Sequence, residues 1–144
     1  MVIRPAQSKD AGVLSGLMKQ LGYDVAAAAI ADRLARRDGR REVLVAIRDD
    51  RVVGWAAVSV DEPFVEGFTA QLEGLVVDES VRSRGVGAQL LDAAEAWARA
   101  RGCQELRVWS NVIRARAHAF YARREYTTIK AQYLFGKKLG RVQS

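Results

Sequence analysis

Apolar residues in the first part of the chain recur every three or four positions, which is the spacing of one helix face. The first such segment is predicted to form a helix to about Leu21, with Ser8 and Asp10 as candidate caps. A second predicted helix follows Asp24, its own candidate cap, and ends at about Arg37. Both helices precede most of the strand-like sequence.

Strand-like runs begin with residues 2–5 and resume after the second helix. Residues 43–47 and 52–60 are rich in β-branched and small apolar residues and flank the polar pair Asp49-Asp50, which predicts a hairpin. Residues 61–68 read as a loop. The later predicted elements are a strand over 69–77, a long helix ending near Gly102, a strand over Glu105–Trp109, a helix over 114–124 and a strand over Tyr126–Phe135. The hairpin implies antiparallel pairing, so the predicted sheet is mixed and the class α+β.

Length and composition restrict the class of protein. The chain has 144 residues, 49% hydrophobic and 28% charged, which predicts one soluble globular domain over residues 1–144. Cys103 has no second cysteine to pair with, and with His118 as the one histidine we expect no metal site. No apolar run approaches a transmembrane length and the N-terminus lacks an apolar signal core, so a cytoplasmic protein without a membrane partner is predicted.

Charge is unevenly distributed along the chain. The formal net charge is +6, from 23 basic and 17 acidic residues. Between residues 61 and 79 every charge is negative, whereas between residues 99 and 124 only Glu105 opposes a series of arginines. A protein that handles one cationic and one anionic ligand has this pattern, and so does a protein with two solvated charged faces.

The segment Leu72–Ala88 carries the strongest chemical signal in the sequence. It reads as a strand, a turn containing Arg82 and Arg84, and a helix that begins at Gly85 and Gly87. The first amides of a helix have no intrahelical acceptor and lie at the positive end of its dipole. Glycine lets a bulky anion approach these amides, so the segment is predicted to bind a diphosphate.

Two other phosphate-binding motifs do not fit this segment. A Walker loop needs a lysine and a Ser/Thr after its last glycine, where this chain has Ala88-Gln89. A dinucleotide fingerprint needs a third glycine where this chain has Leu90, and it belongs in a parallel βαβ unit.

With these residues the sequence resembles the GNAT superfamily of acetyl-coenzyme A-dependent N-acyltransferases. The family signature Gln/Arg-x-x-Gly-x-Gly/Ala reads Arg82-Ser83-Arg84-Gly85-Val86-Gly87 here. A second motif follows, with Asn111 after the fifth strand and Ala117–Tyr121 on the next helix. The resemblance covers essentially the whole chain. It implies a three-layer α-β-α fold whose mostly antiparallel sheet has splayed fourth and fifth strands.

The resemblance also assigns roles to single residues. The amides of the segment after Arg82 would bind the diphosphate of coenzyme A, the fourth strand and Asn111 would bind its pantetheine arm, and Tyr121 would protonate the departing thiolate. A backbone amide at the same strand edge would stabilise the oxyanion. The implied cofactor-binding residues are Leu75, Val76, Val77, Arg82, Arg84, Gly85, Val86, Gly87, Ala88 and Asn111.

The remaining candidates have competing interpretations. Tyr121 can act as the acid, since a phenol is protonated at neutral pH, or it can be a packed aromatic beside Phe120. Glu73 can be the base, a ligand of a cationic acceptor or a solvated strand residue, and several family members carry the catalytic glutamate where this chain has Gln71. Alternation places Gln71 and Glu73 on one face of the strand.

Three further residues need an interpretation. His118 is expected to be a packing or surface residue rather than a proton relay, and Cys103 a small buried hydrophobe. Glu125 stands where the family usually has the glycine of a left-handed helix end, so glutamate there either bears strain or ends the helix differently.

The sequence therefore predicts an N-acetyltransferase that moves acetyl from acetyl-CoA to a primary amine by direct attack, without a metal. The acidic stretch predicts a cationic acceptor, either a small molecule or a peptide amine. One alternative is a non-catalytic acyl-CoA-binding module. Another is a nucleic-acid-binding protein using the basic helix, although no recognised nucleic-acid motif is present, so no nucleic-acid partner is predicted. The sequence leaves a homodimer open.

Overall fold

The computed structural model describes residues 1–82, 84–109 and 115–140. Contacts divide the chain into two compact units, Met1–Trp109 and Ser110–Ser144. The elements of the first unit are β1 (Val2–Pro5), α1 (Ala11–Gln20), α2 (Ala27–Ala35), β2 (Arg41–Arg48), β3 (Arg51–Asp61), β4 (Thr69–Val77), α3 (Val86–Ala100) and β5 (Leu106–Val108). Short 3-10 turns cover Ser8–Asp10 and Glu79–Val81. In the second unit, α4 spans Ala115–Arg123.

The first unit contains a five-stranded sheet with the strand order β1-β2-β3-β4-β5. Neighbouring strands are antiparallel from β1 to β4, and β4 pairs with β5 in parallel, which confirms the predicted mixed sheet. Asp49 and Asp50 connect β2 to β3 with φ values of 51° and 60°. Two successive positive φ values are the geometry of a tight turn that matches the twist of a hairpin, as the sequence predicted.

Helices cover both faces of this sheet. On one face, Leu14 of α1 and Ile30 and Leu34 of α2 form a buried cluster with Val45 of β2. On the other face, α3 packs against Gly54 of β3. The predicted three-layer α-β-α arrangement is therefore observed in the first unit, and it lets each strand alternate between two apolar layers.

Asp10 is the N-cap residue of α1, as predicted, but its side chain does not bond to the helix amides, and the predictions of Ser8 and Asp24 as caps are wrong. The Asp10 carboxylate makes no cap bond to α1 but accepts two hydrogen bonds from the Arg4 guanidinium, at 2.8 and 3.0 Å, and one from the Gln7 N–H at 2.7 Å. The residue before α2 is Ala26, not Asp24, and no side chain caps that helix. The Asp10 carboxylate completes a capping box with Gln7 around the 3-10 turn before α1 and pairs with Arg4, so it is not directed at the amides of α1 itself.

Replacing Asp10 by alanine should destabilise the protein by about 2–3 kcal/mol, because the Arg4 guanidinium would lose its partner in a partly buried setting. Arg4 holds the pKa of the Asp10 carboxyl below its usual value. The ion pair therefore stabilises the fold above about pH 4 and its contribution is lost as the pH falls through that lowered pKa. Urea unfolding should show a wild-type advantage at pH 7 that shrinks at pH 3.

The matched control is Asp32→Ala, which removes the carboxylate of the exposed Asp32–Arg36 pair on α2. Exposed pairs at this spacing contribute about 0.3–0.5 kcal/mol, so this variant should unfold near the wild-type urea concentration. Equal losses in both variants would contradict a special role for Asp10.

The predicted strand over Tyr126–Phe135 is not formed. Residues 126–140 contain no helix or strand, and residues 127–140 are all exposed. A β-prone segment becomes a strand only when a neighbouring backbone completes its ladder, and this segment has no such pairing among the residues described. No helix in the described ranges combines the length and the apolarity needed to cross a membrane.

Candidate active site

The start of α3 is shaped by Gly85. This residue precedes the helix with a φ of 82°, and no heavy atom lies within 4 Å of the position that a Cβ would take. The first intrahelical bond runs from the Gln89 N–H to the Gly85 carbonyl, at 3.1 Å. The amides of Val86, Gly87 and Ala88 therefore have no acceptor within the helix and can face an anion in the open space beside Gly85.

Two arginines supply positive charge before this helix start. Arg82 and Arg84 are both exposed. A guanidinium binds phosphate oxygens with paired hydrogen bonds, so these side chains suit the same anion as the helix amides. Arg82, Arg84 and the first amides of α3, which together form the predicted diphosphate cradle, are therefore close neighbours in the sequence.

Gly54 of β3 holds the beginning of α3 close to the sheet. A Cβ on Gly54 would lie 2.8 Å from the Val76 carbonyl oxygen, 3.1 Å from Leu90 Cδ1 and 3.3 Å from Val86 Cγ1. Val86 and Leu90 are in turn almost fully buried. Sequence analysis did not single out Gly54, although a glycine inside a strand pattern often marks a close approach.

Within the described ranges, β4 and β5 pair over three residues of each strand. The pairs are Ala70 with Leu106, Gln71 with Arg107 and Leu72 with Val108. β4 continues to Val77, and within the described ranges its last five residues have no β5 partner. The residues that would continue β5 beyond Trp109, 110–114, lie outside the described residues, so the splay of the fourth and fifth strands stays a prediction.

The second half of β4, Glu73–Val77, has no partner strand among the described residues on the side away from β3, and this side is its open edge. Val76 pairs with Trp55 of β3, and the Asp78 N–H donates to the Val53 carbonyl at 2.8 Å. Because antiparallel strands alternate the direction of their N–H and C=O groups, Leu75 and Val77 direct theirs away from β3. An extended polar chain can bind to this edge as an added strand. Of the three β4 residues predicted to bind the pantetheine arm, Leu75 and Val77 direct their backbone N–H and C=O groups to this side, whereas Val76 directs its groups to β3.

A β-bulge sets Glu73 apart on β4. Ala57 pairs with Gly74 and Val58 with Leu72, which leaves Glu73 without an opposite residue on β3. Bulges of this kind redirect a side chain and increase local twist. The bulge directly follows Leu72, the last β4 residue that pairs with β5 in the described ranges.

The Glu73 carboxylate is bound by Arg41. Arg41 Nε lies 2.8 Å from Oε2 and Nη2 lies 3.1 Å from Oε1, so both carboxylate oxygens are engaged. Arg41 is opposite Ser59 on β3, and Ser59 is opposite Gln71 on β4. Glu73 therefore reaches the same face as Gln71, as alternation predicted, and by strand alternation from Val45 this is the α1/α2 face.

The acidic and basic stretches of the sequence meet on the loop after β3. Arg107 of β5 forms ion pairs with both Glu66 and Glu105. Part of the acidic stretch is thus neutralised by an arginine of the basic stretch, which neither composition nor spacing showed. Asp61 and Glu62 are exposed and have no ion pair to a described residue.

In the second unit, Tyr121 is half-buried between two other rings. Its ring centroid lies 5.3 Å from that of Phe120 and 5.7 Å from that of Tyr126, both in edge-to-face arrangements. Burial raises the pKa of the Tyr121 phenol above its usual value of 10.0. The hydroxyl is therefore protonated at every pH at which the fold is ordinarily studied, as a proton donor must be.

Glu125 ends α4 in the left-handed conformation, with a φ of 68°. The Glu125 N–H donates to the Ala122 carbonyl at 3.1 Å and the Tyr126 N–H to the Tyr121 carbonyl at 3.0 Å. These two bonds form a Schellman motif, whose left-handed position favours glycine. Of the two expectations for this departure, the strained glutamate is the one observed.

Replacing Glu125 by glycine should stabilise the end of α4 by about 0.5–1 kcal/mol, because a Cβ in the left-handed region costs about 1–2 kcal/mol and part of that gain is lost to the greater freedom of glycine in the unfolded chain. Hydrogen exchange of the α4 amides should slow accordingly. Glu125→Ala is the matched control because it keeps the Cβ, and equal protection in both variants would contradict this account.

The other candidates are placed as follows. Cys103 is buried, which confirms its predicted role as a small hydrophobe, and His118 is exposed. Asn111 lies outside the described residues. No group of three or more potential ligands within the described ranges is arranged to hold a metal ion.

The sequence matches the acetyltransferase (GNAT) family over residues 16–126. It is 35% identical over 114 residues to an aminoglycoside N(6′)-acetyltransferase type 1 of Klebsiella aerogenes, which covers 72% of this chain and 74% of that protein. A protein of the same name from Salmonella typhimurium is 34% identical over 98 residues, covering 63% and 67%.

Solved structures show the same fold at lower identity. The aminoglycoside 6′-N-acetyltransferase AAC(6′)-Ig from Acinetobacter haemolyticus superimposes with a TM-score of 0.83 at 22% identity, covering 97% of this chain and 100% of that one. The structure of AAC(6′)-Iy in complex with a bisubstrate analogue, CoA-S-monomethyl-acetylneamine, gives a TM-score of 0.83 at 24% identity, covering 95% and 97%.

The family match covers most of the chain. The curated relatives are also named acetyltransferases, and the Klebsiella aerogenes protein aligns over 72% of this chain. The open space beside Gly85 and the free amides of α3 also fit the diphosphate of coenzyme A. The chain belongs to the GNAT acetyltransferase family and is an acetyl-CoA-dependent N-acetyltransferase.

Proposed function

We propose that this enzyme acetylates an amino group of an aminoglycoside by direct attack within a ternary complex. The observation that supports the proposal is the second half of β4, which has no β5 partner among the described residues and is followed along the chain by the helix start at Gly85. The open edge of this half joins a place for an extended thiol-bearing chain to a place for its diphosphate. Both reactants can then be held together, which removes much of the entropic cost of the reaction.

The residues of the cradle bind the acetyl-CoA cosubstrate. The amides of Val86, Gly87 and Ala88, with Gly85 giving access, bind the diphosphate, and Arg82 and Arg84 add charge. The backbones of Leu75 and Val77 hydrogen-bond to the pantetheine arm on the side of β4 that faces away from β3. Asn111 is proposed to contact the same arm on the strength of its motif.

The transfer itself requires two proton movements and one stabilised charge. The thioester supplies an activated acetyl group, the acceptor nitrogen forms a bond to its carbonyl carbon, and the carbon–sulfur bond breaks. The nitrogen loses its proton to Glu73, directly or through water, and Tyr121 donates a proton to the thiolate. A free backbone N–H on the open edge of β4 stabilises the oxyanion.

The proposal of an aminoglycoside acceptor is supported by the names of the relatives and by the acidic residues of this chain. The curated relatives are named aminoglycoside N(6′)-acetyltransferases, and one of them aligns over 72% of this chain. Asp61 at the end of β3, Glu62 on the loop that follows and Glu73 on β4 are carboxylates that can attract a polycationic amino sugar. A polycation also fits the negative stretch better than a single peptide amine does.

The test is an acceptor panel with acetyl-CoA, monitored by release of free thiol. Neomycin and paromomycin form a matched pair, because they differ in carrying an amine or a hydroxyl at the 6′ position. We expect turnover with neomycin and much slower turnover with paromomycin, and NMR of the product should place the acetyl group on the 6′ nitrogen. Preference for a peptide amine would overturn the acceptor class, and cosubstrate binding without any turnover would indicate the non-catalytic module.

A further inference from the structure

We infer that Arg41 is a specificity-determining residue, whose guanidinium occupies the Glu73 carboxylate and must be displaced by a cationic group of the acceptor. The inference rests on the proposed function, in which Glu73 faces the acceptor amine. It adds a residue that neither the family motifs nor the charge pattern of the sequence singled out.

Arg41 reaches Glu73 across an intervening strand. Arg41 begins β2 and Glu73 lies on β4, so β3 separates them by about 10 Å of backbone. The β3 residue opposite Arg41 is Ser59, whose small side chain leaves room for the arginine stem to pass. The bulge that frees Glu73 from β3 completes the approach.

The Arg41–Glu73 ion pair occupies the carboxylate that a cationic group of the acceptor would bind. The guanidinium engages both carboxylate oxygens, at 2.8 and 3.1 Å, and these are the oxygens that an ammonium group of an amino sugar would bind. While Arg41 is in place, no charged ligand can form the same paired contact with Glu73. The acceptor cation and Arg41 are therefore competitors for one carboxylate.

The ion pair is exposed enough to be displaced. The Arg41 side chain is 54% exposed and that of Glu73 31%, whereas Asp10 in the structural pair with Arg4 is 6% exposed. Exposed ion pairs change an equilibrium by no more than about fivefold, so a polycation that makes further contacts can overcome this one. Acceptors that do not use Glu73 gain nothing from the displacement.

The experiment measures acceptor KM and kcat with neomycin and acetyl-CoA for Arg41→Gln. Removing the competitor should lower the neomycin KM by about two- to fivefold, with a smaller change in kcat. Arg36→Gln is the control, since it removes the same charge from an exposed ion pair on α2. The fall in KM should disappear in the Glu73→Gln background, where Arg41 has no carboxylate to occupy.

Each outcome decides the inference. An unchanged or higher KM in Arg41→Gln, or an equal fall in the Glu73→Gln background, overturns it, because Arg41 would then orient Glu73 or act elsewhere. Should Arg41→Gln fail to fold, Arg41→Lys keeps the charge but loses the paired geometry, and its KM should still fall below that of the wild type. Failure of the wild type to acetylate neomycin overturns the proposed function and the inference together.

Discussion

Replacing Tyr121 by phenylalanine is expected to lower kcat by about 100-fold while coenzyme A binding stays close to that of the wild type. The loss follows from removing the proposed proton donor to the thiolate, and general acid catalysis contributes about 10²–10⁴-fold. The aromatic contacts with Phe120 and Tyr126 would remain, because the ring is kept. Steady-state kinetics and calorimetry with coenzyme A separate the two effects.

The pH dependence gives a second check on Tyr121. Burial raises the pKa of its phenol above 10.0, so the donor loses its proton only above that pH. We expect no decline of wild-type kcat from this group between pH 7 and about pH 10. Tyr133→Phe removes a hydroxyl from an exposed ring and should leave kcat unchanged. A Tyr121→Phe enzyme with wild-type kcat would mean that another group protonates the thiolate.

Replacing Gly54 by valine is expected to destabilise the first unit by about 3 kcal/mol and to weaken coenzyme A binding at least tenfold. A Cβ at this position would lie 2.8 Å from the Val76 carbonyl oxygen, which belongs to backbone and cannot rotate away. The two further methyl groups of valine would press on Val86 and Leu90. Overpacking of this kind costs about 1–3 kcal/mol, and here it also shifts the helix start that binds the diphosphate.

Gly16→Ala on α1 is the control for this experiment. Gly16 is exposed, and an added Cβ there meets no heavy atom within 4 Å. Alanine should therefore raise stability by about 0.5–1 kcal/mol through helix propensity, without a change in cosubstrate binding. Chemical denaturation and calorimetry would report both quantities. A Gly54→Val protein as stable as the wild type would show that α3 does not depend on this close approach.

The expected effect of Gly54→Val also shows where strand propensity fails as a guide to stability. On β-propensity alone, valine would improve a strand over glycine. The tertiary contact with Val76, Val86 and Leu90 reverses the sign of the expected effect. In the sequence, Gly54 is a glycine within an apolar run. The atoms that a side chain there would collide with belong to two other elements, β4 and α3.

Elements with a strong local pattern were predicted with accurate bounds. β1 and β4 were predicted over the residues that form them, and the hairpin at Asp49 and Asp50 follows from turn chemistry. The side-chain bond expected from Asp10 to α1 and the last predicted strand, Tyr126–Phe135, are absent for a common reason. Asp10 is taken by Arg4, and a strand needs a partner, so both depend on contacts outside the local segment.

The candidate site also has one part that could be predicted from the sequence and another part that could not. The anion cradle could be predicted because it is built from consecutive backbone groups between Arg82 and Ala88. The pairing of Glu73 with Arg41 could not, because it depends on a bulge and on two strand registers that bring distant residues together. Charge patterning likewise missed that Arg107 neutralises Glu66.

The sequence by itself determined the order of the elements, the mixed sheet, the phosphate-binding turn and the family, since each of these is written in residues that are neighbours in the chain. Only the tertiary structure decided how closely α3 approaches β3, where the bulge on β4 lies, and which cation holds Glu73. These features depend on register and packing between separate elements, where a shift of one residue changes every contact, and local spacing carries no information about that register.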